Sequence, residues 1–209
     1  MSMQLRSWGA GALALTLLAG PAVAQGRGPA AADPDWPCVQ RRVPTIAIGT
    51  VWSGPDPAEA GPWGSDFEAA ALAQKLASRR TPLDEVDPLI DAFADKAGPD
   101  KAARLTRVFA GVHELINTER DRVMAGILRY AQGQRRMAER VRAEADQISA
   151  AKDSPDAPTT PQIAEVERQF TWDRRIFEDR SQALTYVCET PTLLEQRLFE
   201  IARRIQAKL

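Results

Sequence analysis

Histidine is almost missing: His113 stands alone in 209 residues. That excludes a His-rich metal cluster, and two cysteines are too few for a Cys-based zinc site. Neither charge sign is in excess, with 27 Lys+Arg against 28 Asp+Glu. The basic surface that nucleic-acid binding needs is therefore not indicated, and no nucleic-acid partner is expected. The most apolar run, residues 8–19 (WGAGALALTLLA), is about 12 residues long, whereas a bilayer span needs about 20. No G-x-S-x-G, P-loop, H-E-x-x-H or EF-hand loop is present. No catalytic residue, cofactor site or metal site is expected. What remains is a globular mix, 44% hydrophobic and 26% charged. Its length suits one domain with an appendage.

The N-terminus reads as a secretory leader. Arg6 supplies a weak positive start, residues 8–19 form the apolar run, Gly20-Pro21 breaks it, and Ala22-Val23-Ala24 is an A-x-A cleavage pattern. Residues 1–24 are thus expected to be a signal peptide cut after Ala24. Arginine outnumbers lysine 22 to 5, which points to a GC-rich bacterial gene and hence to the periplasm as destination. In that oxidising compartment, Cys38 and Cys188 read as one structural disulfide. A closed loop of that size is worth about 5 kcal/mol in the chain-entropy account. An intermolecular bridge and two reactive free thiols are the rival readings. No C-x-x-C is present to favour redox chemistry.

Residues 25–64 carry seven prolines, at 29, 34, 37, 44, 55, 57 and 62, which exclude a continuous helix. Three of the five tryptophans, Trp36, Trp52 and Trp63, also lie here. Disordered linkers are poor in aromatics, so an extended arm held by docking is expected. Residues 43–52 (VPTIAIGTVW) read as a short extended stretch. The three tryptophans are either packing anchors or the wall of a partner or ligand groove.

From residue 65 the chain reads as all-α. Ser65 with Glu68 fits a capping box ahead of a helix over 66–80. Thr81-Pro82 and Asp87-Pro88 read as cap-plus-first-residue pairs, placing short helices within 66–97. No proline falls between Pro99 and Pro155, which predicts one long, nearly straight helix over about 100–150. Its apolar seam runs through Leu105, Phe109, Val112, Ile116, Glu119, Val123, Ile127, Tyr130, Gln134, Met137 and Val141, at close to the helical repeat. A polar turn at 149–161 leads to return helices over about 161–188 and 191–208, with Pro191 kinking or breaking that leg. The return stripe runs through Ile163, Val166, Phe170, Phe177, Leu184 and Val187, with Trp172 beside it. Matched legs around a short linker predict a long antiparallel helical hairpin, its proximal end covered by the short helices and the arm.

Arg135–Glu139, Arg140–Glu144 and Arg174–Glu178 read as i,i+4 pairs on solvent-facing surface. Arg197, Arg203, Arg204 and Lys208 make the last helix locally basic. This suits a helix C-terminus, with membrane-surface contact as the rival. The functional expectation is a secreted scaffold, adaptor or accessory subunit. It would bind another envelope protein, or a second copy of itself, through Val123, Ile127, Met137 and Val141. A chaperone-like clamp on the same seam, and an enzyme or ligand carrier with a pocket under the Trp-bearing arm, are the alternatives.

Overall fold

The computed structural model describes residues 35–153 and 161–209. The expected signal peptide, the first part of the arm and most of the expected turn lie outside these residues. The described chain is all-α and contains no strand. A single helical turn, α1 (Ile48–Val51), is followed by α2 (Phe67–Ala77), α3 (Val86–Lys96), α4 (Lys101–Lys152) and α5 (Pro161–Gln206). Short 3-10 turns at Trp63–Ser65, Leu83–Glu85 and Gly98–Asp100 join the middle elements.

α4 and α5 form the hairpin. At 1.5 Å per residue they are about 78 and 69 Å long. Cross-helix partners run in opposite directions along the two: Arg120 reaches Pro191, Tyr130 reaches Arg180, Gln134 reaches Phe177, and Lys152 reaches Glu167. This is an antiparallel pair in extensive contact. α4 forms because 101–152 has no proline and an apolar residue in nearly every turn. A 3-10 turn with Gly98 at φ +60° aims the chain into it.

Beyond Ile116 the α4 seam keeps the expected Ile127, Gln134 and Met137 but otherwise departs from the expected one. Arg120, Met124, Ile127, Ala131 and Gln134 are buried, while Glu119 is exposed and Val123 is half-buried. Those buried positions step by four, three, four and three residues, the heptad spacing of a coiled-coil seam, rather than the straight-helix repeat. On α5, Cys188 takes the inward place expected for Val187, which is exposed.

Pro191 does not divide the return leg; α5 is one helix from Pro161 to Gln206. Proline removes the donor to the carbonyl four residues back. Here the buried Arg120 donates Nε–H to the Pro191 carbonyl at 3.3 Å and fastens that turn to α4.

The core lies at the proximal end. Phe109, Val112 and Ile116 of α4 and Leu194, Leu198 and Ile201 of α5 meet Leu72 and Leu76 of α2, Ile90 of α3, and Val51 and Trp52 of the arm. α2 starts one residue later than the capping-box reading placed it. Asp66, not Ser65, is the N-cap and accepts from Ala69 N–H at 3.0 Å. Asp66 wins because it also receives two hydrogen bonds from Arg104 of α4, at 2.7 and 3.0 Å. α2 then stops at Ala77 rather than 80. Arg197 of α5, buried, donates to the Leu76 carbonyl at 2.9 and 2.7 Å and to the Thr81 carbonyl at 2.9 Å. It caps the helix end through space. Asp87 and Pro88 sit inside the first turn of α3, which begins at Val86. Pro88 costs nothing there, because first-turn N–H groups have no helical acceptor.

The Cys38–Cys188 disulfide is formed, with Cα atoms 5.5 Å apart, and neither cysteine is free. It ties the arm to the middle of α5. Further on, the arm does not stay extended through 43–52: Ile48–Val51 closes a helical turn, with Trp52 N–H donating to the Ile48 carbonyl. Ile46 finds side chains in place of a neighbouring strand. Its N–H donates to Asn117 Oδ1 at 2.9 Å, and its carbonyl accepts from His113 Nε2 at 2.8 Å.

Candidate functional site

The three arm tryptophans are not brought together. Trp52 is core: it is buried, stacks on Phe109 at 3.9 Å and 7°, and donates Nε1–H to the Pro55 carbonyl at 2.8 Å. Trp36 is half-buried, donates to the Gln40 carbonyl at 2.7 Å, and lines a cleft of about 290 Å³ with Gln134, Phe177 and Leu184. In that cleft Gln134 Nε2 donates to the Phe177 carbonyl at 3.2 Å. A carbonyl only accepts, so the amide orientation is set and Oε1 is left without a partner.

Trp63 walls the larger feature, an open groove of about 660 Å³ between the arm and α4. Its indole is locked. Nε1–H donates to Glu114 Oε2 at 2.9 Å, and the ring lies against Gly111, where an added Cβ would sit 2.9 Å from Trp63 Cε3 and 2.7 Å from Ala73 Cβ. Only glycine admits the ring at that spacing. Ile48, Pro57, Ala58 and Ala110 supply apolar wall, and His113, Asn117 and Asp121 supply polar wall. His113, the lone histidine, is a strap for the arm: Nε2 carries the proton it gives to the Ile46 carbonyl. Among the described residues no group of three or more His, Cys, Asp or Glu is placed to hold a metal ion.

The expected interaction seam on α4 is largely covered by this chain itself. Ile127 and Met137 are buried, and Val123 and Val141 are half-buried. α5 runs antiparallel over the stripe, which the sequence could not show without the register. The exposed large apolar side chains lie elsewhere. Trp172, Tyr186 and Leu193 are 64, 74 and 50% exposed and sit on one flank of α5. Their spacings of two heptads and one heptad were readable in the sequence, but only a heptad frame makes them one row.

Charged residues also change partners. Arg140 does not pair along its own helix with Glu144; it reaches Asp173 of α5 at 2.5 Å. Arg135 reaches Asp35 of the arm at 2.9 Å rather than Glu139. Arg174–Glu178 does pair, at 3.6 Å. Glu144 is buried beside Asp173, and one Glu144 oxygen has no partner. Burial foremost, then the Asp173 charge, pushes the Glu144 carboxyl up from its usual range, against the pull of Arg140. The basic patch on the last helix is consumed internally. Arg197 caps α2, Arg204 meets Asp87 at 3.1 Å, Lys208 meets Asp91 at 2.6 Å and Arg203 meets Glu200 at 2.7 Å.

No protein-family model matches the chain, and no curated protein or solved structure matches it. The class is therefore defined by the fold alone: an all-α protein built on a long antiparallel two-helix hairpin.

Proposed function

We propose that the protein is a periplasmic, non-enzymatic scaffold or adaptor that works by binding another envelope protein along the outer flank of α5. The observation carrying this reading is the row of Trp172, Tyr186 and Leu193, left uncovered by the rest of the described chain. Large aromatic side chains held on a rigid helix bind partners with little further loss of conformational freedom, and such rows anchor helix-mediated interfaces. The secretory leader and the disulfide support the compartment. The α4 seam from which both the scaffold and the chaperone-like clamp were read is largely occupied by α5, so the proposed partner surface is the α5 flank instead. The test is a Trp172→Ala, Tyr186→Ala, Leu193→Ala variant. It is expected to keep wild-type helicity and thermal midpoint while losing the partner cross-linked by the native protein in intact envelopes. Undiminished cross-linking by the folded variant refutes the reading.

A second reading is ligand carriage in the groove walled by Trp63. It is supported by the volume, which falls in the range of small-molecule sites, and by an aromatic wall fixed before any ligand arrives.

A further inference from the structure

The groove under the arm has a charge bias that its packing does not require. Glu114 and Asp121 both belong to its lining, and no lysine or arginine does. The two carboxylates are seven residues apart on α4, so they face the same way, about 10 Å apart along the axis. Trp63 lies beside Glu114, and its ring is held on one side by Gly111. Of the other polar wall residues, His113 and Asn117 are engaged with the Ile46 backbone, and Thr45 and Thr118 add hydroxyls. Elsewhere in the fold several carboxylates are matched by arginine or lysine: Asp66 by Arg104, Asp173 by Arg140, Asp91 by Lys208. Among the described residues neither Glu114 nor Asp121 is in an ion pair.

An aromatic face with carboxylates beside it attracts a cation through the ring quadrupole and the Coulomb field together. Apart from the hydroxyls of Thr45 and Thr118, the remaining wall, including Ile48, Pro57 and Ala110, offers methyl and methylene surface. That favours a cation whose charge is wrapped in carbon over a strongly hydrated ammonium. We propose that this groove binds a small quaternary-ammonium compound, its trimethylammonium head resting on the Trp63 indole between Glu114 and Asp121, a step that rests on the ligand-carrier reading above. The locked indole makes the site ready-made: its ordering is complete before binding, so little affinity is lost in arranging it.

The probe is choline, set against its neutral isostere 3,3-dimethyl-1-butanol, with the full chain observed by saturation-transfer NMR and calorimetry. Choline is expected to bind saturably and about tenfold or more tighter than the isostere. The double variant Glu114→Gln, Asp121→Asn keeps an acceptor for Trp63 Nε1–H and removes both charges. It is expected to weaken choline by about tenfold while leaving the thermal midpoint and helicity unchanged. If the isostere binds as tightly as choline, or if the folded double variant binds choline undiminished, cation recognition is refuted and ligand carriage survives. If neither compound binds, both fall.

Discussion

Asp66 performs two tasks at one point. It caps α2 through Ala69 N–H, and it accepts from Arg104 Nε and Nη2, fastening α2 to α4. The Arg104 hydrogen bonds, with smaller help from Ala69 and Arg107, lower its carboxyl from the ordinary 3.8 to about 2. Burial opposes them and loses. A carboxyl lowered in the folded state stabilises the fold above its unfolded value, and that stabilisation is lost as pH falls through the folded value. The window here is from about 3.8 down to about 2. A drop of nearly two units at about 1.4 kcal/mol each is worth about 2 kcal/mol. The side chain is only 11% exposed, so solvent takes little of this away. Asp66→Asn separates the two tasks, because asparagine caps a helix as well as aspartate does but carries no charge. Urea unfolding at pH 7 should show the Asn variant less stable by about 2 kcal/mol. Repeated in steps down to pH 2, the gap between the two proteins should close. Equal stability at pH 7, or a gap of constant size across that range, would show that the Arg104 pairing does not hold α2 on the hairpin.

Arg197→Met should cost about 3 kcal/mol in urea unfolding, because the buried carbonyls of Leu76 and Thr81 lose their donors. Loss below about 1 kcal/mol would mean that water caps α2 equally well. Glu144 has the opposite linkage to Asp66. Its raised carboxyl takes up a proton on folding, so stability is greatest at acid pH and falls as pH rises above the usual carboxylate range. Glu144→Gln should therefore raise the thermal midpoint at neutral pH and leave it unchanged in acid. A variant that melts lower at neutral pH refutes the sign. Thiol counting on oxidised, denatured protein should find no free thiol. Cys188→Ser should speed hydrogen exchange in the arm before it affects the Ile127 region of α4, and uniform loss of protection would contradict the arm-specific role.

The hairpin was legible because it rests on local rules. A run of about fifty residues without proline, carrying an apolar residue every three or four positions, has one good solution. The disulfide was legible by counting, since two cysteines have one intramolecular pairing. The face that each helix turns inward was legible only in part, since Ile127, Gln134 and Met137 are buried as expected but Glu119 is not. Glu119 and Arg120 are neighbours, and a pattern averaging 3.6 residues accepts either. Only the packing of α5 against α4, where the Pro191 carbonyl accepts from Arg120, selects Arg120. The tryptophans were recognised as important but not told apart: Trp52 stacks inside the core, Trp63 walls a groove and Trp36 a separate cleft.

Sequence alone determined that this chain is helical, that two of its helices are long and comparable, and that its arm must dock rather than continue them. Those outcomes depend on backbone donors, ring constraints and apolar periodicity, all read within a few residues of where they act. Tertiary structure alone decided the register of the hairpin, the survival of α5 through Pro191 and the caps supplied by Asp66 and Arg197. It also decided the partners of Arg135 and Arg140. The caps and ion pairs depend on groups more than thirty residues away, such as Arg197 at the end of α2, and Arg120 ties the Pro191 turn to α4. A guanidinium is long, flexible and satisfied by many acceptors, so the one it takes is chosen by what packing brings within reach.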